Sequence, residues 1–244
     1  MSNQTKPAGL GWIVAVLVAV AALTAGAALA SLWLSRPAEV TAAFHRLYHA
    51  NGERTYNNTH WLGVPVQKCP LDLWVFQEIL FETKPDVVVE TGTYKGGSAY
   101  FFASMFDLLG QGRVITIDIE DHANKPRHPR IEYLLGSSTS PAILEQVRAR
   151  LRPGDKVMVA LDSDHSMAHV LEELRLYSGL VTAGNYLIVE DTHFNGHPVL
   201  PRHGPGPMEA VREFLLHTRD FQVDRDREKF GLTFNPGGYL RKIP

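Results

Sequence analysis

The chain has 244 residues, of which 20% are charged, and its formal net charge is −2 at pH 7. This length suits one domain, or one domain with an appendage, and the lack of a basic face argues against a nucleic acid as partner. Cys69 is the only cysteine, which excludes a disulfide framework and a cysteine zinc cluster.

The amino-terminal part of the chain predicts a tail followed by a membrane anchor. Residues 1–9 are polar and predict a disordered tail, whereas residues 10–34 contain no charged side chain. A helix needs about 20 apolar residues to cross a hydrocarbon core, so the second segment predicts a single-pass transmembrane anchor. A cleaved signal peptide is the alternative, because residues 28–30 resemble a cleavage site before Ser31. Against it, the apolar run exceeds the roughly 7–15 residues of such a leader.

Residues 35–80 predict a linker and a helical adaptor. Residues 38–50 could form one helix, and residues 61–68 are of extended character. Residues 71–83 carry apolar side chains at helical spacing, which predicts a helix that packs on a sheet. This adaptor could also supply an interface for a homo-oligomer.

Residues 81–244 predict one domain in which strands and helices alternate. Strands are predicted at residues 87–90, 114–118, 131–135, 156–161 and 185–190, and helices at 97–109, 141–151, 166–176 and 208–217. Residues 221–224 and 233–240 have the character of closing strands of antiparallel type. The alternation predicts an α/β fold with a doubly wound, mostly parallel sheet, an antiparallel edge and helices on both faces.

A glycine turn follows the first strand of this domain. The β-branched run of residues 87–89 leads to Glu90, and Gly92, Gly96 and Gly97 then precede a helical segment. The spacing matches neither the dinucleotide fingerprint nor a P-loop. Ligands bind at the carboxyl ends of parallel strands beside helix amino termini, so the turn indicates a ligand site. An ordinary strand-to-helix turn is the alternative.

Four predicted strands end in carboxylate side chains. These are Glu90, Asp118, Asp162 with Asp164, and Glu190 with Asp191. Because the carboxyl ends of parallel strands meet at one edge of the sheet, mutual repulsion would raise the pKa values of these groups unless a cation or ligand lies among them.

Each of these side chains has a functional and a structural interpretation. Asp118 could accept the hydroxyls of a ribose or could cap a helix. Asp162, Glu190 and Asp191 offer the hard oxygen ligands that Mg²⁺ prefers, or could form hydrogen bonds at the edge of the sheet. His165 lies beside carboxylates and could act as a general base or acid, or could be structural.

Five stretches together resemble a known family. They are residues 90–98 (ETGTYKGGS), 118–120 (DIE), 161–165 (LDSDH), 189–192 (VEDT) and 204–211 (GPGPMEAV). As a set they resemble the cephalosporin hydroxylase and rhamnosyl O-methyltransferase family, which belongs to the class I S-adenosylmethionine-dependent methyltransferases. The resemblance covers residues 55–242 and implies a Rossmann-like methyltransferase domain.

The resemblance also implies two cofactors, S-adenosylmethionine and Mg²⁺. Mg²⁺ would bind Asp162, Glu190 and Asp191, and would lower the pKa of an acceptor hydroxyl. The catalytic residues would be His165, as the base, and Asp162. The expected contacts to S-adenosylmethionine are Glu90, Gly92, Thr93, Tyr94, Gly96, Ser98, Asp118 and Ser137.

The sequence therefore predicts a membrane-tethered, Mg²⁺-dependent O-methyltransferase that acts on a hydroxyl of a small molecule or glycan. Since such chemistry needs a cytoplasmic cofactor, we expect the catalytic domain in the cytoplasm. The alternatives are a cephalosporin-type hydroxylase, a nicotinamide-linked oxidoreductase, or a catalytically silent binding module of the same fold. The carboxylate-rich edge argues against the two-histidine, one-carboxylate triad of non-haem iron oxygenases.

Overall fold

The computed structural model describes residues 9–34 and 36–244, which form two compact units. One unit ends at Phe44 and the other spans His45–Pro244. The predicted disordered tail lies outside the described residues, apart from Gly9, which is the first residue of a helix.

The first unit contains a long apolar helix, α1 (Gly9–Leu34), and the start of α2 (Pro37–Ala50). Residues 11–31 of α1 expose their side chains and carry no charge. By length and composition alone, this stretch of 21 residues could cross a membrane, and a signal sequence would have the same properties. The fold thus contains the predicted apolar helix, while its crossing of a membrane stays a prediction.

The second unit begins with the end of α2 and a small hairpin. Strand β1 (His60–Trp61) pairs antiparallel with β2 (Val64–Pro65), and α3 (Pro70–Thr83) follows. The predicted extended segment at residues 61–68 is therefore partly a hairpin, because Gly63 adopts a φ of +85° that lets the chain reverse.

Strands and helices then alternate along the rest of the chain. They are β3 (Val87–Thr91), α4 (Gly97–Leu109), β4 (Arg113–Asp118), β5 (Ile131–Leu135), α5 (Pro141–Arg150), β6 (Val157–Leu161), α6 (Met167–Tyr177), β7 (Tyr186–Val189), α7 (Pro207–Leu216), β8 (Phe221–Val223) and β9 (Tyr239–Lys242). The seven strands β3 to β9 form one sheet in the order β5-β4-β3-β6-β7-β9-β8.

The pairing confirms the predicted mostly parallel sheet with an antiparallel edge. Strands β5, β4, β3, β6 and β7 are parallel, and β9 runs antiparallel to both β7 and β8. The strand order reverses between β3 and β6. The loops that leave these two strands diverge there, and such a reversal opens a crevice at the carboxyl ends of the strands.

The last predicted strand is wrong over most of its length. The sequence predicts this strand at residues 233–240, but β9 begins at Tyr239. Residues 233–238 form a loop because Asp72 of α3 accepts hydrogen bonds from Thr233 Oγ1 and from the Phe234 backbone N–H. These tertiary bonds take the place of a strand ladder.

Apolar layers cover both faces of the sheet. Val87 and Val89 of β3 are buried in a cluster with side chains of α5, α6 and α7, whereas Val88 is buried with side chains of α3 and α4. This alternation is the two-residue period of a strand. Because helices cover both faces, β6 and β7 are apolar along their whole length, and β3 begins with three buried valines.

Candidate functional site

A cleft of about 670 Å³ lies at the carboxyl ends of the parallel strands in the second unit. Its walls come from the segments that follow β3, β4, β5, β6 and β7, and from residues just before α3. The volume is in the range of small-molecule sites.

The glycine turn forms one wall of the cleft. Gly92 has a φ of +88°, and a Cβ added there would lie 1.9 Å from the backbone oxygen of Asp162. Gly97 opens α4, and a Cβ added to it would lie 2.1 Å from the backbone oxygen of Pro65. Both positions therefore need glycine, because the backbone of Asp162, directly after β6, and that of Pro65 in β2 approach too closely for any side chain.

Asp118 ties the end of β4 to this turn. Its Oδ2 accepts the backbone N–H of Tyr94 at 2.7 Å, and its Oδ1 accepts the backbone N–H of Glu120 at 2.9 Å. The carboxylate lines the cleft in a fixed orientation. Each carboxylate oxygen can accept a further hydrogen bond, which suits the two hydroxyls of a ribose.

Glu90 lies beneath the cleft and does not line it. The side chain is fully buried, and its Oε2 accepts the Thr116 hydroxyl at 2.6 Å. Burial raises the pKa of Glu90 to about 7, although the Lys68 ammonium opposes the shift. Glu90 thus supports the floor of the cleft.

The structure brings most of the predicted S-adenosylmethionine contacts to the cleft. Those that line it are Gly92, Thr93, Tyr94, Ser98, Asp118 and Ser137. The other two, Glu90 and Gly96, lie outside its lining. Gly96 has a φ of +78° and directly precedes α4.

An acidic cluster lies at the other side of the same cleft. Donor atoms of Asp162, His165 and Asp191 all lie within 4.8 Å of one another, and His165 Nε2 is 3.3 Å from Asp191 Oδ2. All three side chains are half-buried and line the cleft. Two carboxylates and an imidazole converging at this distance could hold a divalent cation, and the hard oxygens fit Mg²⁺.

Asp191 follows β7 in a left-handed conformation, with a φ of +54°. Burial, together with the neighbouring Asp162 carboxylate, raises its pKa to about 6, while the His165 imidazole opposes the shift. A carboxylate that is costly to ionise alone is stabilised when a cation binds beside it.

Glu190, the third predicted metal ligand, is not one of these three convergent donors. It is 4% exposed, and its Oε2 is 2.7 Å from the ammonium of Lys68. Lys68 also forms an ion pair with Asp162. The buried ammonium of Lys68 therefore bridges two of the three predicted metal ligands, Asp162 and Glu190.

Sequence reasoning missed Lys68. The residue precedes Cys69 and Pro70 in an extended segment, and no spacing relates it to the acids at the strand ends. Burial alone would lower its pKa, but the carboxylates of Asp162 and Glu190 raise the Lys68 pKa above its ordinary value. The ammonium therefore stays charged in the buried site.

Sequence reasoning also missed a polar group on the wall near Ser137. His169 of α6 lines the cleft, and its Nε2 is 3.1 Å from Ser138 Oγ. The fully buried Glu173 lies 3.6 Å from the same nitrogen, and it raises the pKa of His169. A helical position between apolar residues offered no signal for this role.

Comparison with known proteins gives consistent matches over most of the chain. A family model described as Rhamnosyl O-methyltransferase/CmcI matches residues 53–243. A rhamnosyl O-methyltransferase of Mycobacterium leprae is 45% identical over 217 residues, which cover 84% of this chain and 92% of that protein. Its counterpart in Mycobacterium tuberculosis H37Rv is 42% identical over 224 residues, covering 88% and 90% of the two chains.

Solved structures of CmcI share the fold. One with Mg and SAM superposes with a TM-score of 0.61 at 23% identity, covering 77% of this chain and 78% of that chain. An apo structure gives a TM-score of 0.60 at 22% identity, covering 77% of each chain. With the strand order above, these matches confirm the predicted Rossmann-like class I methyltransferase fold.

Proposed function

This chain belongs to the rhamnosyl O-methyltransferase/CmcI family, and on that premise we propose that it is an S-adenosylmethionine- and Mg²⁺-dependent O-methyltransferase of a glycan. The acceptor would be a hydroxyl of a rhamnosyl group, the acceptor for which its curated relatives are named. The 42–45% identity extends over most of each chain, which supports a shared reaction.

One observation carries this proposal. A single cleft has the oriented Asp118 carboxylate on one side and the donor atoms of Asp162, His165 and Asp191 on the other. The first arrangement suits the ribose of a nucleoside cofactor, and the second suits a divalent cation and an acceptor hydroxyl. A cleft of about 670 Å³ has room for both partners of a group transfer.

Different residues of the cleft would have different roles in the reaction. Asp118 would accept the ribose hydroxyls of S-adenosylmethionine, which supplies the methyl group. Asp162, Glu190 and Asp191 would hold Mg²⁺, whose charge would favour the deprotonated form of an acceptor hydroxyl. His165 Nε2, beside Asp191 in the cleft, would accept the proton of that hydroxyl. The walls would align the reacting groups.

The hydroxylase alternative is not favoured by the donor set. The three convergent donors are one imidazole and two carboxylates. Non-haem iron oxygenases use two imidazoles and one carboxylate, so the ligand types differ.

We further propose that α1 anchors the enzyme in a membrane with the catalytic domain in the cytoplasm. The support is the uncharged stretch of residues 11–31, whose side chains are exposed. An exposed apolar helix of this length is costly in water and is stabilised by a bilayer. Acceptors carried on lipids would then lie near the enzyme.

Calorimetric titration of S-adenosylmethionine into the full chain in detergent tests the cofactor assignment. We expect micromolar binding by the wild type and no measurable binding by Asp118→Ala. Asp121→Ala is the matched control, because Asp121 is an exposed acid three residues away that pairs only with Lys125 among the described residues. A folded wild-type protein that does not bind S-adenosylmethionine would refute the proposal.

The acceptor requires a second measurement. Transfer of an isotopically labelled methyl group to rhamnosyl glycans should require Mg²⁺ and should stop in a chelator. Transfer to glycans without rhamnose at an equal rate would contradict the rhamnosyl assignment while leaving the methyltransferase activity in place.

A further inference from the structure

The acidic cluster of the cleft contains a cation of its own. The ammonium of Lys68 lies against the carboxylates of both Asp162 and Glu190, at 2.7 Å from the second. Lys68 is 5% exposed and Glu190 is 4% exposed. A buried charge is tolerated only when it is paired, so the two acids and the lysine form one electrostatic unit.

The backbone keeps Lys68 in this position. Its carbonyl oxygen accepts the Thr59 hydroxyl at 3.3 Å, and the next residue, Cys69, is 1% exposed. Pro70 then begins α3. A packed backbone segment therefore holds the lysine at the site. If water took the place of its ammonium, the carboxylates of Asp162 and Glu190 would lose their positively charged partner.

We propose that Lys68 is the resident counter-ion of the metal site and that it competes with a divalent cation for Asp162 and Glu190. This inference rests on the proposed function, because it assumes that Asp162 and Glu190 are ligands of the cation. Lys68 would then set the affinity of the site for Mg²⁺, keeping the empty site folded and the bound cation exchangeable.

The charges at the site support this competition. Lys68 contacts Asp162 Oδ2, so one of the two oxygens of a proposed metal ligand is already engaged. Glu190 Oε1 is buried and has no hydrogen-bond partner among the residues that the structure describes. Without the ammonium, the Glu190 carboxylate and one Asp162 oxygen would lack a positively charged partner. These are the oxygens that a divalent cation would then bind.

The direction of the effect separates this proposal from a simpler role. If Lys68 only held Asp162 in place, its removal would weaken cation binding. If Lys68 competes with the cation, its removal strengthens cation binding, because repulsion between two neighbouring positive charges disappears.

The test uses the full chain in detergent and three variants. Lys68→Met keeps most of the length of the side chain and removes the charge, whereas Lys68→Arg keeps the charge. Arg227→Met is the matched control, because Arg227 pairs with Glu82 and Asp224 away from the cleft. Mn²⁺ binding is measured by electron paramagnetic resonance, and melting temperatures are measured with Mg²⁺ and with chelator.

We expect Lys68→Met to bind Mn²⁺ on the order of tenfold more tightly than the wild type. In chelator its melting temperature should fall by roughly 10 °C, because a buried carboxylate has lost its partner. Mg²⁺ should restore most of that loss. Lys68→Arg should resemble the wild type, and Arg227→Met should lose stability that Mg²⁺ does not restore.

Equal or weaker Mn²⁺ binding by Lys68→Met would overturn the inference, and so would a Lys68→Met protein that stays unfolded at every Mg²⁺ concentration. Failure of the proposed function looks different. If the wild type binds no Mn²⁺ but Lys68→Met does, the ammonium takes the place of the metal in the wild-type protein. The proposed competition is then supported, and the proposed dependence of methyl transfer on Mg²⁺ is refuted. If neither protein binds Mn²⁺, both are refuted.

Discussion

At the scale of the residue, Gly92 adopts a left-handed backbone conformation and also lies close against the backbone of Asp162. Its φ is +88°, and an added Cβ would collide with the backbone oxygen of Asp162. We expect Gly92→Ala to lower the free energy of unfolding by roughly 3 kcal/mol, because conformational strain and the clash add. It should also abolish S-adenosylmethionine binding, since the wall of the cleft must move. Urea unfolding and calorimetry measure the two effects.

Gly154 provides the matched control for this prediction. Its φ is +89°, yet an added Cβ would meet nothing within 4 Å. Gly154→Ala should therefore show the conformational strain alone, about 1 kcal/mol. Equal losses of stability in the two variants would show that the close approach to the Asp162 backbone is unimportant.

The burial of His45 makes the free energy of unfolding depend on pH. It is 4% exposed, and its ring stacks on Phe234 at a centroid distance of 5.5 Å. Burial, with the nearby His49 and Arg46, lowers the pKa of His45 to about 4 from 6.5. Between these two values the unfolded chain binds a proton that the folded chain does not, so stability falls as the pH falls from 6.5 towards 4.

We expect His45→Phe to flatten this part of the pH profile. The contribution of one such group is at most about 1.4 kcal/mol per pH unit. Chemical unfolding at a series of pH values between 4 and 7 measures the slope. Replacing the exposed His60 serves as the control, because water reaches its ring in the folded chain. An unchanged slope in His45→Phe would assign the acid sensitivity to other groups.

At the scale of the element, the first turn of α3 positions the loop that leads to β9. Asp72 accepts hydrogen bonds from the Thr233 hydroxyl at 2.5 Å, the Phe234 backbone N–H at 2.8 Å and the Tyr239 hydroxyl at 2.9 Å. Since Asp72 is 2% exposed, these donors would be left unpaired in its absence. One carboxylate therefore connects α3 to strand β9, far along the chain.

We expect Asp72→Ala to lower the free energy of unfolding by about 3 kcal/mol, because buried donors lose their acceptor. Hydrogen exchange should show the largest gain in rate at residues 233–239. Asp121→Ala, which removes an exposed acid, should leave stability unchanged within error. A uniform increase of exchange across the sheet would contradict a local role for Asp72.

At the scale of the whole molecule, the apolar α1 predicts where the enzyme resides. The full chain should sediment with membranes and resist extraction by high salt. Leu17→Asp together with Val20→Asp should release it, because each charge costs about 3 kcal/mol near the centre of a membrane helix. Leu108→Asp is the control, since Leu108 is an exposed leucine of α4 in the second unit.

Mass spectrometry of the mature amino terminus tests the alternative of a cleaved signal peptide, because a chain that begins at Ser31 has lost a leader.

The sequence by itself determined the order and type of the elements that repeat regularly. Apolar runs and helical periodicity predicted the five parallel strands and α3 to α7 to within two residues at each end, because period and apolarity are local properties. The motifs after those strands predicted the family and most of the cleft, since the carboxyl ends of parallel strands meet at one edge.

Only the tertiary structure decided which side chains meet. Lys68 and Asp162 are 94 positions apart, and Asp72 and Phe234 are 162 positions apart. No local pattern relates such residues. Their contacts depend on how the hairpin and α3 pack on the finished sheet, and this packing pairs Glu190 with a lysine and takes residues 233–238 out of a strand. The physical reason is that periodicity reflects the surroundings of one segment, whereas partners and charges in a buried site are set by contacts between distant segments.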